Sequence, residues 1–346
     1  MQRVELFTRP RSEARIGTIA EAGGSRPLIG FAWLAGAAMM AGSSRSRRIR
    51  SSRERYLASD ETLDIGALLD WGKEKLKAAG IDDYIVSAEI LIRHALNLSR
   101  SELIISRGKK PSTSEINRYK QQVEQRTHRV PLQYITGTTE FYSVIIKCDR
   151  RALIPRPETE VLVETIIQKL KNEDTPSILD IGVGSGNIAV ALAKNIKGSK
   201  VTGIEISPDA LDLACENAAL NGVSDSLRLI QGNIDDPDFM RSLGAFDCVV
   251  SNPPYVSEDD KESLMPEVRE FEPAVALFSR GDPLRFFKII IKASKFLLKP
   301  GGILAFEAGL GQAETVSKMM ISAGLKELEI TKDLAGIDRI IIGRKK

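Results

Sequence analysis

The fold of this chain is decided by the stretch Ser177-Ile178-Leu179-Asp180-Ile181-Gly182-Val183-Gly184-Ser185-Gly186. Its first half is a short apolar run typical of a buried strand, and its second half carries three glycines at alternate positions. Residues 187–195 follow with apolar side chains at helical spacing, so they predict a helix. A strand, a glycine loop and a helix in this order let backbone N–H groups approach a nucleotide-like ligand closely.

An acidic residue stands at the expected distance beyond this loop. Residues 201–204 predict the next strand, and Glu205 follows it, about twenty residues past the loop, where an acid accepts hydrogen bonds from ribose hydroxyls. Glycines alone also serve turns and helix packing, so the inference depends on loop, register and acid together. The loop reads GxGxG and not the GxGxxG of dinucleotide enzymes, which favours a cofactor with a nucleoside and an amino-acid tail, such as S-adenosylmethionine.

A second motif, Asn252-Pro253-Pro254-Tyr255, follows an apolar strand predicted at residues 246–251. Prolines lack an N–H and cannot continue a sheet ladder, so the neighbouring carbonyls are free to accept hydrogen bonds from a ligand. Two carbonyl-type oxygens and an aromatic ring suit a planar group that carries NH₂. Such a turn also occurs as a purely structural element, but its place at the end of a strand in the same predicted sheet favours chemistry.

Three segments together resemble the class I S-adenosylmethionine-dependent methyltransferases: DIGVGSG at residues 180–186, GIEIS at residues 203–207 and SNPPY at residues 251–255. Within that superfamily, NPPY resembles the enzymes that methylate planar amide nitrogens or exocyclic amines. The resemblance therefore implies an enzyme that transfers a methyl group to nitrogen.

Two further segments narrow the resemblance. PLQYITG at residues 131–137, followed by EFY at residues 140–142, is similar to the signature of the glutamine N5-methyltransferases. LIPRPETE at residues 153–160 resembles the branch that modifies peptide chain release factors, the PrmC or HemK proteins. Related enzymes that act on a ribosomal protein usually carry PRSP at that point, so Pro157-Glu158-Thr159 favours the release-factor branch. The resemblance covers about residues 63–346.

This resemblance implies an α/β fold of the class I methyltransferase type, Rossmann-like, with a seven-stranded mostly parallel sheet and a small N-terminal helical bundle. It also implies that the seventh strand inserts antiparallel between the fifth and the sixth. Ligands bind outside the carboxyl ends of such parallel strands, so the loop, the acid and the NPPY turn are expected to share one crevice. Beyond the strands already named, apolar runs predict strands at residues 227–230, 302–307, 325–330 and 339–343, and helices at residues 160–170, 208–221, 283–298 and 312–323.

The chain divides into four predicted segments. Residues 1–59 form an Arg/Ser-rich extension, for which disorder, targeting and an over-long gene start are open interpretations. Residues 60–130 predict four or five helices that recognise a protein substrate or act only as a lid. Residues 131–155 predict a hairpin linker, and residues 156–346 the methyltransferase domain. We expect a cytoplasmic bacterial protein, or a mitochondrial or plastid one if the extension is a transit peptide.

Composition is ordinary for a soluble globular protein: 346 residues, 42% hydrophobic and 27% charged, with a formal net charge of +3. That charge implies no uniform basic surface for nucleic acid. Cys148, Cys215 and Cys248 lack CxxC spacing, so neither a disulfide framework nor a zinc site is expected. The apolar contexts of Cys215 and Cys248 predict core positions.

The predicted site residues fall into two groups. Those expected to bind the cofactor are Gly182, Val183, Gly184, Ser185, Gly186, Glu205, Asn233, Ile234 and Asn252. Those expected to bind the substrate are Asn252, Pro253, Pro254 and Tyr255, of which Asn252, Pro253 and Tyr255 are the catalytic candidates. The superfamily commonly has an Asp followed by an aromatic residue where this chain has Asn233 and Ile234.

Other residues of the resembling segments have open roles. Arg156, Glu158 and Thr159 either order the crevice or cap the helix that follows them. Glu307 and Gln312 match family positions, but the sequence gives no physical reason for them.

The function that the resemblance implies is methyl transfer from S-adenosylmethionine to the glutamine of a Gly-Gly-Gln motif in class 1 peptide chain release factors. Chemically, an amide nitrogen is a poor nucleophile because its lone pair is delocalised, and oxygens that hold both amide hydrogens shift electron density back to it. A sulfonium leaves readily, so we expect neither a metal nor a dedicated general base.

Three alternatives remain open at this stage: an adenine-N6 methyltransferase acting on nucleic acid, a glutamine methyltransferase of a ribosomal protein, and a non-catalytic scaffold. The small helical domain of mixed charge argues against a DNA-reading enzyme, which normally adds a large basic domain. We expect a monomer without a direct nucleic-acid or membrane partner.

Overall fold

A computed structural model of the chain describes residues 63–279 and 281–346. The extension predicted over residues 1–59, with its targeting and disorder interpretations, lies outside the described residues. Within the described ranges, every helix is too short or too polar to cross a lipid bilayer.

Four helices open the described residues and confirm the predicted N-terminal bundle, and a short fifth helix follows them. Side chains at their first turns explain where several of them begin: Asp64 accepts the N–H of Ala67 at 2.7 Å, and Ser99 and Ser112 each form a capping box with the glutamate three residues on. The helices are α1 (Ile65–Ala78), α2 (Tyr84–Leu96), α3 (Arg100–Ile105), α4 (Thr113–Thr127) and α5 (Leu132–Thr136).

The bundle has a core of its own, in which α1, α2 and α4 meet. Leu68, Leu76 and Leu91 are fully buried there, together with the ring of Tyr119, whose hydroxyl donates to the carbonyl of Ala88 at 3.4 Å. The two helices α1 and α4 approach closely because Gly72 faces Tyr119. A side chain at Gly72 would overlap that ring.

The segment predicted as a hairpin linker from residue 131 starts with a short helix that the sequence analysis did not include. It begins with α5, which follows Pro131 and ends at Gly137 with φ +76°. Five residues are too few to show a helical period, which explains why the sequence did not predict this helix. The predicted hairpin then follows as β1 (Thr138–Phe141) and β2 (Val144–Lys147), paired antiparallel.

A seven-stranded sheet confirms the predicted fold class. Its spatial order is β5-β4-β3-β6-β7-β9-β8, and β9 runs antiparallel between β7 and β8, as the resemblance implied. The strands are β3 (Ser177–Ile181), β4 (Lys200–Glu205), β5 (Leu227–Gln231), β6 (Phe246–Ser251), β7 (Leu298–Glu307), β8 (Lys326–Lys332) and β9 (Asp338–Arg344).

Helices cover both faces of this sheet, so its central strands β3, β6 and β7 are largely buried and apolar on both sides. One face, with Ile178 and Val250, packs against α6 (Pro157–Leu170), α7 (Asn187–Asn195) and α8 (Pro208–Leu220). The other, with Leu179 and Phe306, packs against α9 (Pro237–Ser242), α12 (Arg285–Leu297) and α13 (Ala313–Ser322). Cys248 lies in the first of these cores, whereas Cys215 is exposed on α8, so its predicted core position was wrong.

Between β6 and α12 the chain forms short elements that the sequence did not predict. These are α10 (Pro266–Phe271) and α11 (Ala274–Leu277), which follow a 3-10 helix at Glu258–Ser263. A bridge between Val256 and Phe278 closes the segment into a loop beside the end of β6. We call residues 256–279 the wall segment, because part of it faces the crevice described below.

The close approach at Gly72 yields a stability prediction. Gly72→Ala should destabilise the chain by about 1–3 kcal/mol, because the methyl group overpacks the buried Tyr119 ring. Gly108→Ala is the matched control, since a methyl group there meets nothing within 4 Å. Urea unfolding of both variants checks the expectation. Equal midpoints would contradict it.

Candidate active site

A cavity of about 500 Å³ opens at the carboxyl ends of the parallel strands. Gly182 after β3, Glu205 at the end of β4 and Asn252 after β6 all line it, as the sequence predicted. The hydroxyl of Ser251 donates to the carbonyl of Ile181 at 2.7 Å and ties the ends of β6 and β3 together. The volume lies in the range of small-molecule sites. The other predicted residues that line the cavity are Val183, Gly184, Ser185, Asn233, Ile234, Pro253 and Pro254.

The glycines of the loop meet two different structural requirements. Gly182 and Gly184 have φ of +76° and +54°, and a Cβ on Gly182 would meet nothing within 4 Å, so it would project into open space at the cavity. Gly186 also has a positive φ, +83°, but it is not among the lining residues. A Cβ there would come within 3.1 Å of the Cβ of Ala214, so this glycine lets α7 and α8 pack closely.

Glu205 holds the glycine loop in shape. Its Oε2 accepts the N–H of Gly184 at 3.0 Å, and its Oε1 accepts the N–H groups of Ile206 and Ser207 at 2.9 and 3.0 Å. A carboxylate has about four acceptor positions, so three backbone bonds leave capacity for a ligand hydroxyl. This acid therefore both shapes the loop and can receive a ligand.

Apolar residues that the sequence analysis did not nominate also line the cavity. Ile206, directly after Glu205, is 51% exposed although it is large and apolar. Phe278, at the end of the wall segment, and Phe286, in α12, also line the cavity. The sequence signal for Ile206 is its place directly after the acid that ends a strand. The sequence signal for the two phenylalanines is weaker, because only tertiary packing brings them to the cavity.

The amide of Asn252 is connected to two buried groups. Its Nδ2 donates to Thr159 Oγ1 at 3.3 Å, and that hydroxyl donates to Glu307 Oε2 at 2.6 Å. Thr159 lies in the first turn of α6 and Glu307 at the end of β7, and each is 2% exposed. These hydrogen bonds therefore connect Asn252, a predicted site residue, with Thr159 and Glu307, whose roles the sequence left open.

Burial raises the pKa of the Glu307 carboxyl. The hydrogen bond from Thr159, the charge of Arg339 and the hydrogen bond from Asn252 oppose that rise, whereas the charge of Glu158 adds to it. The donors around the Glu307 carboxyl therefore favour its ionised form against the effect of burial.

Tyr255 stands apart from the other residues of its motif. It is not among the residues that line the cavity, and its ring packs in the core on one face of the sheet, beside Gly309. Its carbonyl accepts the amide of Gln312 at 3.1 Å, and Gln312 in turn accepts the N–H of Gly309. Burial raises the pKa of the Tyr255 hydroxyl to about 12. Its predicted substrate contact stays a prediction.

Arg156 orders the crevice and does not cap α6 through its side chain. It occupies the N-cap position without a side-chain cap bond, and α6 begins at Pro157, three residues earlier than predicted. Its guanidinium pairs with Glu272 at 2.6 Å, and Glu272 also accepts the N–H of Ile154 at 3.0 Å. This buried acid fastens the wall segment to the LIPRPETE segment.

Asp180 lies beneath the glycine loop, fully buried in β3. Neither of its carboxylate oxygens has a hydrogen-bond partner among the residues that the structure describes. Burial raises the pKa of this carboxyl to about 7, partly offset by the nearby N–H of Ala189 in the first turn of α7 and increased by the charge of Glu205.

Comparison with known proteins agrees with this architecture. Two family models match the chain: the PrmC N-terminal domain over residues 67–137 and a methyltransferase domain over residues 178–271. The fold, the cavity and these matches define a methyltransferase, and the chain is an enzyme of that class.

Relatives narrow the class further. Proteins named release factor glutamine methyltransferase are 40% identical over 290 residues in Fusobacterium nucleatum (83% of this chain, 79% of the relative), 40% over 286 residues in Geobacter sulfurreducens (82% and 98%) and 39% over 264 residues in Thermodesulfovibrio yellowstonii (75% and 92%). The chain belongs to the family of release factor glutamine methyltransferases. The resemblance stated from the sequence motifs is confirmed.

The state of Asp180 yields a pH prediction. The carboxyl has a folded-state pKa of about 7, above the ordinary 3.8, so its proton favours the folded state and stability falls as pH rises through that interval. Asp180→Asn removes this loss. The free energy of unfolding of the variant minus that of the wild type should therefore increase from about pH 4 to about pH 7.

Urea unfolding across that pH range measures the difference. Asp225→Asn, at an exposed carboxyl, is the control and should run parallel to the wild type. Parallel curves for Asp180→Asn as well would contradict the expectation.

Proposed function

We propose that the chain transfers a methyl group from S-adenosylmethionine to the side-chain nitrogen of the glutamine in the Gly-Gly-Gln motif of class 1 peptide chain release factors. The observation that carries this proposal is the convergence of the glycine loop, Glu205 and the Asn252-Pro253 carbonyl groups on one cavity. The family and the names of its members support the choice of substrate.

The residues on one side of the cavity fit S-adenosylmethionine. Glu205 offers acceptor capacity for ribose hydroxyls, and the space above Gly182 and Gly184 suits a ligand that lies close to backbone. Ile206 and Ile234 offer apolar surface for an adenine ring. When bound, this cofactor supplies the methyl group. The positively charged sulfur that carries this methyl is a good leaving group.

Asn252 and Pro253 act on the glutamine amide. In our proposal Asn252 Oδ1 and the Pro253 carbonyl accept its two hydrogens, so the lone pair is less delocalised into the glutamine carbonyl. The rigid proline turn fixes these oxygens relative to the glycine loop and replaces a random encounter with a positioned one. The methylated nitrogen then releases its extra proton to water.

The helical bundle is proposed to recognise the release factor. Support comes from its connection to the crevice: Arg126 of α4, whose side chain is 6% exposed, pairs with Glu267 of the wall segment at 3.0 Å and with Asp83 at 3.0 Å. A second bond reaches Glu267 from Arg129 at 3.3 Å. A protein held by the bundle therefore meets an element that is fixed to the cavity.

The compartment we propose is the bacterial cytoplasm, supported by the bacterial sources of the relatives.

The substrate can be tested directly with labelled S-adenosylmethionine. We expect label in a class 1 release factor and none in its variant with the motif glutamine replaced by alanine. Asn252→Ala should lower the turnover rate by at least about 100-fold, because a positioned acceptor is lost.

Asn195→Ala is the matched control for that loss, since its amide donates to the Ala191 carbonyl within α7. DNA and ribosomal protein are the competing acceptors. Label in either of these without label in the release factor would overturn the proposed substrate.

A binding measurement tests the cofactor assignment separately. Glu205→Gln should weaken S-adenosylmethionine binding by about tenfold or more, because a charged acceptor of ribose hydrogen bonds becomes neutral and one end of it becomes a donor facing backbone N–H groups. Titration calorimetry measures the dissociation constant. The exposed Glu173→Gln provides the control, and an unchanged constant in Glu205→Gln would reject this role.

A further inference from the structure

The Asn252 carboxamide has two ends of nearly the same shape, and only one of them suits the proposed reaction. Its oxygen can accept a hydrogen of the glutamine amide, whereas its NH₂ would face that amide as a second donor. A crevice that works must therefore favour one of the two orientations, which differ by a half-turn of the amide. The preference has to come from groups behind Asn252.

Two buried acceptors stand behind it. Oε2 of Glu307 accepts the hydroxyl hydrogen of Thr159 at 2.6 Å. With that hydrogen committed, Thr159 Oγ1 offers only lone pairs to Asn252, whose Nδ2 lies 3.3 Å away. A reversed amide would place its oxygen against these lone pairs. The reversed orientation is therefore unfavourable.

We infer that Thr159 and Glu307 are positioning residues, which hold the Asn252 amide with its NH₂ inward and its oxygen toward the crevice. This inference rests on the proposed function. It identifies the residues that turn Asn252 Oδ1, the proposed acceptor of the glutamine amide, toward the crevice. Thr159 lines the cavity, but this positioning role requires neither residue to touch the substrate. Their action passes through Asn252 alone.

The surroundings favour this role over simple packing. Both side chains are 2% exposed, so water cannot readily take over the hydrogen bonds if one partner is removed. Backbone elements fix both partners: the N–H of Thr159 donates to the Arg156 carbonyl in the first turn of α6, and Glu307 ends a strand that is paired on both sides. The network is thus set by the fold before any ligand binds.

The first experiment observes the amide itself and needs no substrate. In protein with ¹⁵N-labelled asparagine, the Asn252 NH₂ signals are those missing in Asn252→Ala. Thr159→Val, which keeps the shape and loses the hydroxyl, should speed hydrogen exchange of this NH₂ by at least about tenfold, and Thr159→Ser should recover most of the protection.

Thr165→Val is the matched control, because it makes the same change in the same helix at a hydroxyl bonded to the Val161 carbonyl. It should leave the Asn252 signals unchanged. Unchanged exchange in Thr159→Val would overturn the inference, whatever the activity of the variant.

The second experiment is a double-mutant cycle on methyl transfer to the release factor. Thr159→Val should lower the turnover rate by about tenfold with little change in cofactor binding. Combined with Asn252→Ala, it should add almost nothing to the loss caused by Asn252→Ala alone, since the positioning residue acts through the amide that is gone. Additive losses would mean a general structural role and would overturn the inference.

Glu307→Gln serves as an independent variant, since its amide can present a donor to the network and so weakens the preference for one orientation. It should also slow turnover, again without adding to Asn252→Ala. Failure of the wild type to methylate a release factor, with Asn252 exchange still sensitive to Thr159, would reject the proposed substrate and leave the positioning role standing.

Discussion

Parallel pairing of β3 with β4 on one side and β6 on the other is the constraint on which the site depends. Asp180 lies opposite Gly203 in one neighbour and Val250 in the other, so the three strands end at the same level. The glycine loop, the acid and the proline turn follow those ends directly. A shift of one residue in register would exchange the side chains that pack on the two faces of the sheet, so the close packing of both cores keeps these ends aligned.

Long regular elements could be predicted from the sequence because their patterns are local. Strand β3 and helix α7 were predicted with the bounds that the structure has, and the inserted β9 followed from the resemblance. Short elements escaped: α5, α10 and α11 span too few residues to show a period. The start of α6 was misplaced by three residues, since Pro157 is compatible both with a loop and with a first helical position.

The candidate site divides in a similar way. Gly182, Glu205 and Asn252 could be predicted because each stands directly after a recognisable strand. Thr159 and Glu307 are separated by 148 residues, and only the position of β7 beside α6 brings them together. Likewise, Gly186 has the neighbouring Ala214 of α8 as a second reason beside its positive φ, and no spacing within the loop reveals that contact.

Glu267 takes both of its guanidinium partners from the bundle while it sits in the segment beside the crevice. A buried carboxylate stripped of its cations is costly, so the two parts of the enzyme are not freely interchangeable modules. A foreign bundle grafted onto this catalytic half would have to bring an arginine pair in the same place. Recombination between relatives should therefore succeed only where the breakpoint keeps these three residues together.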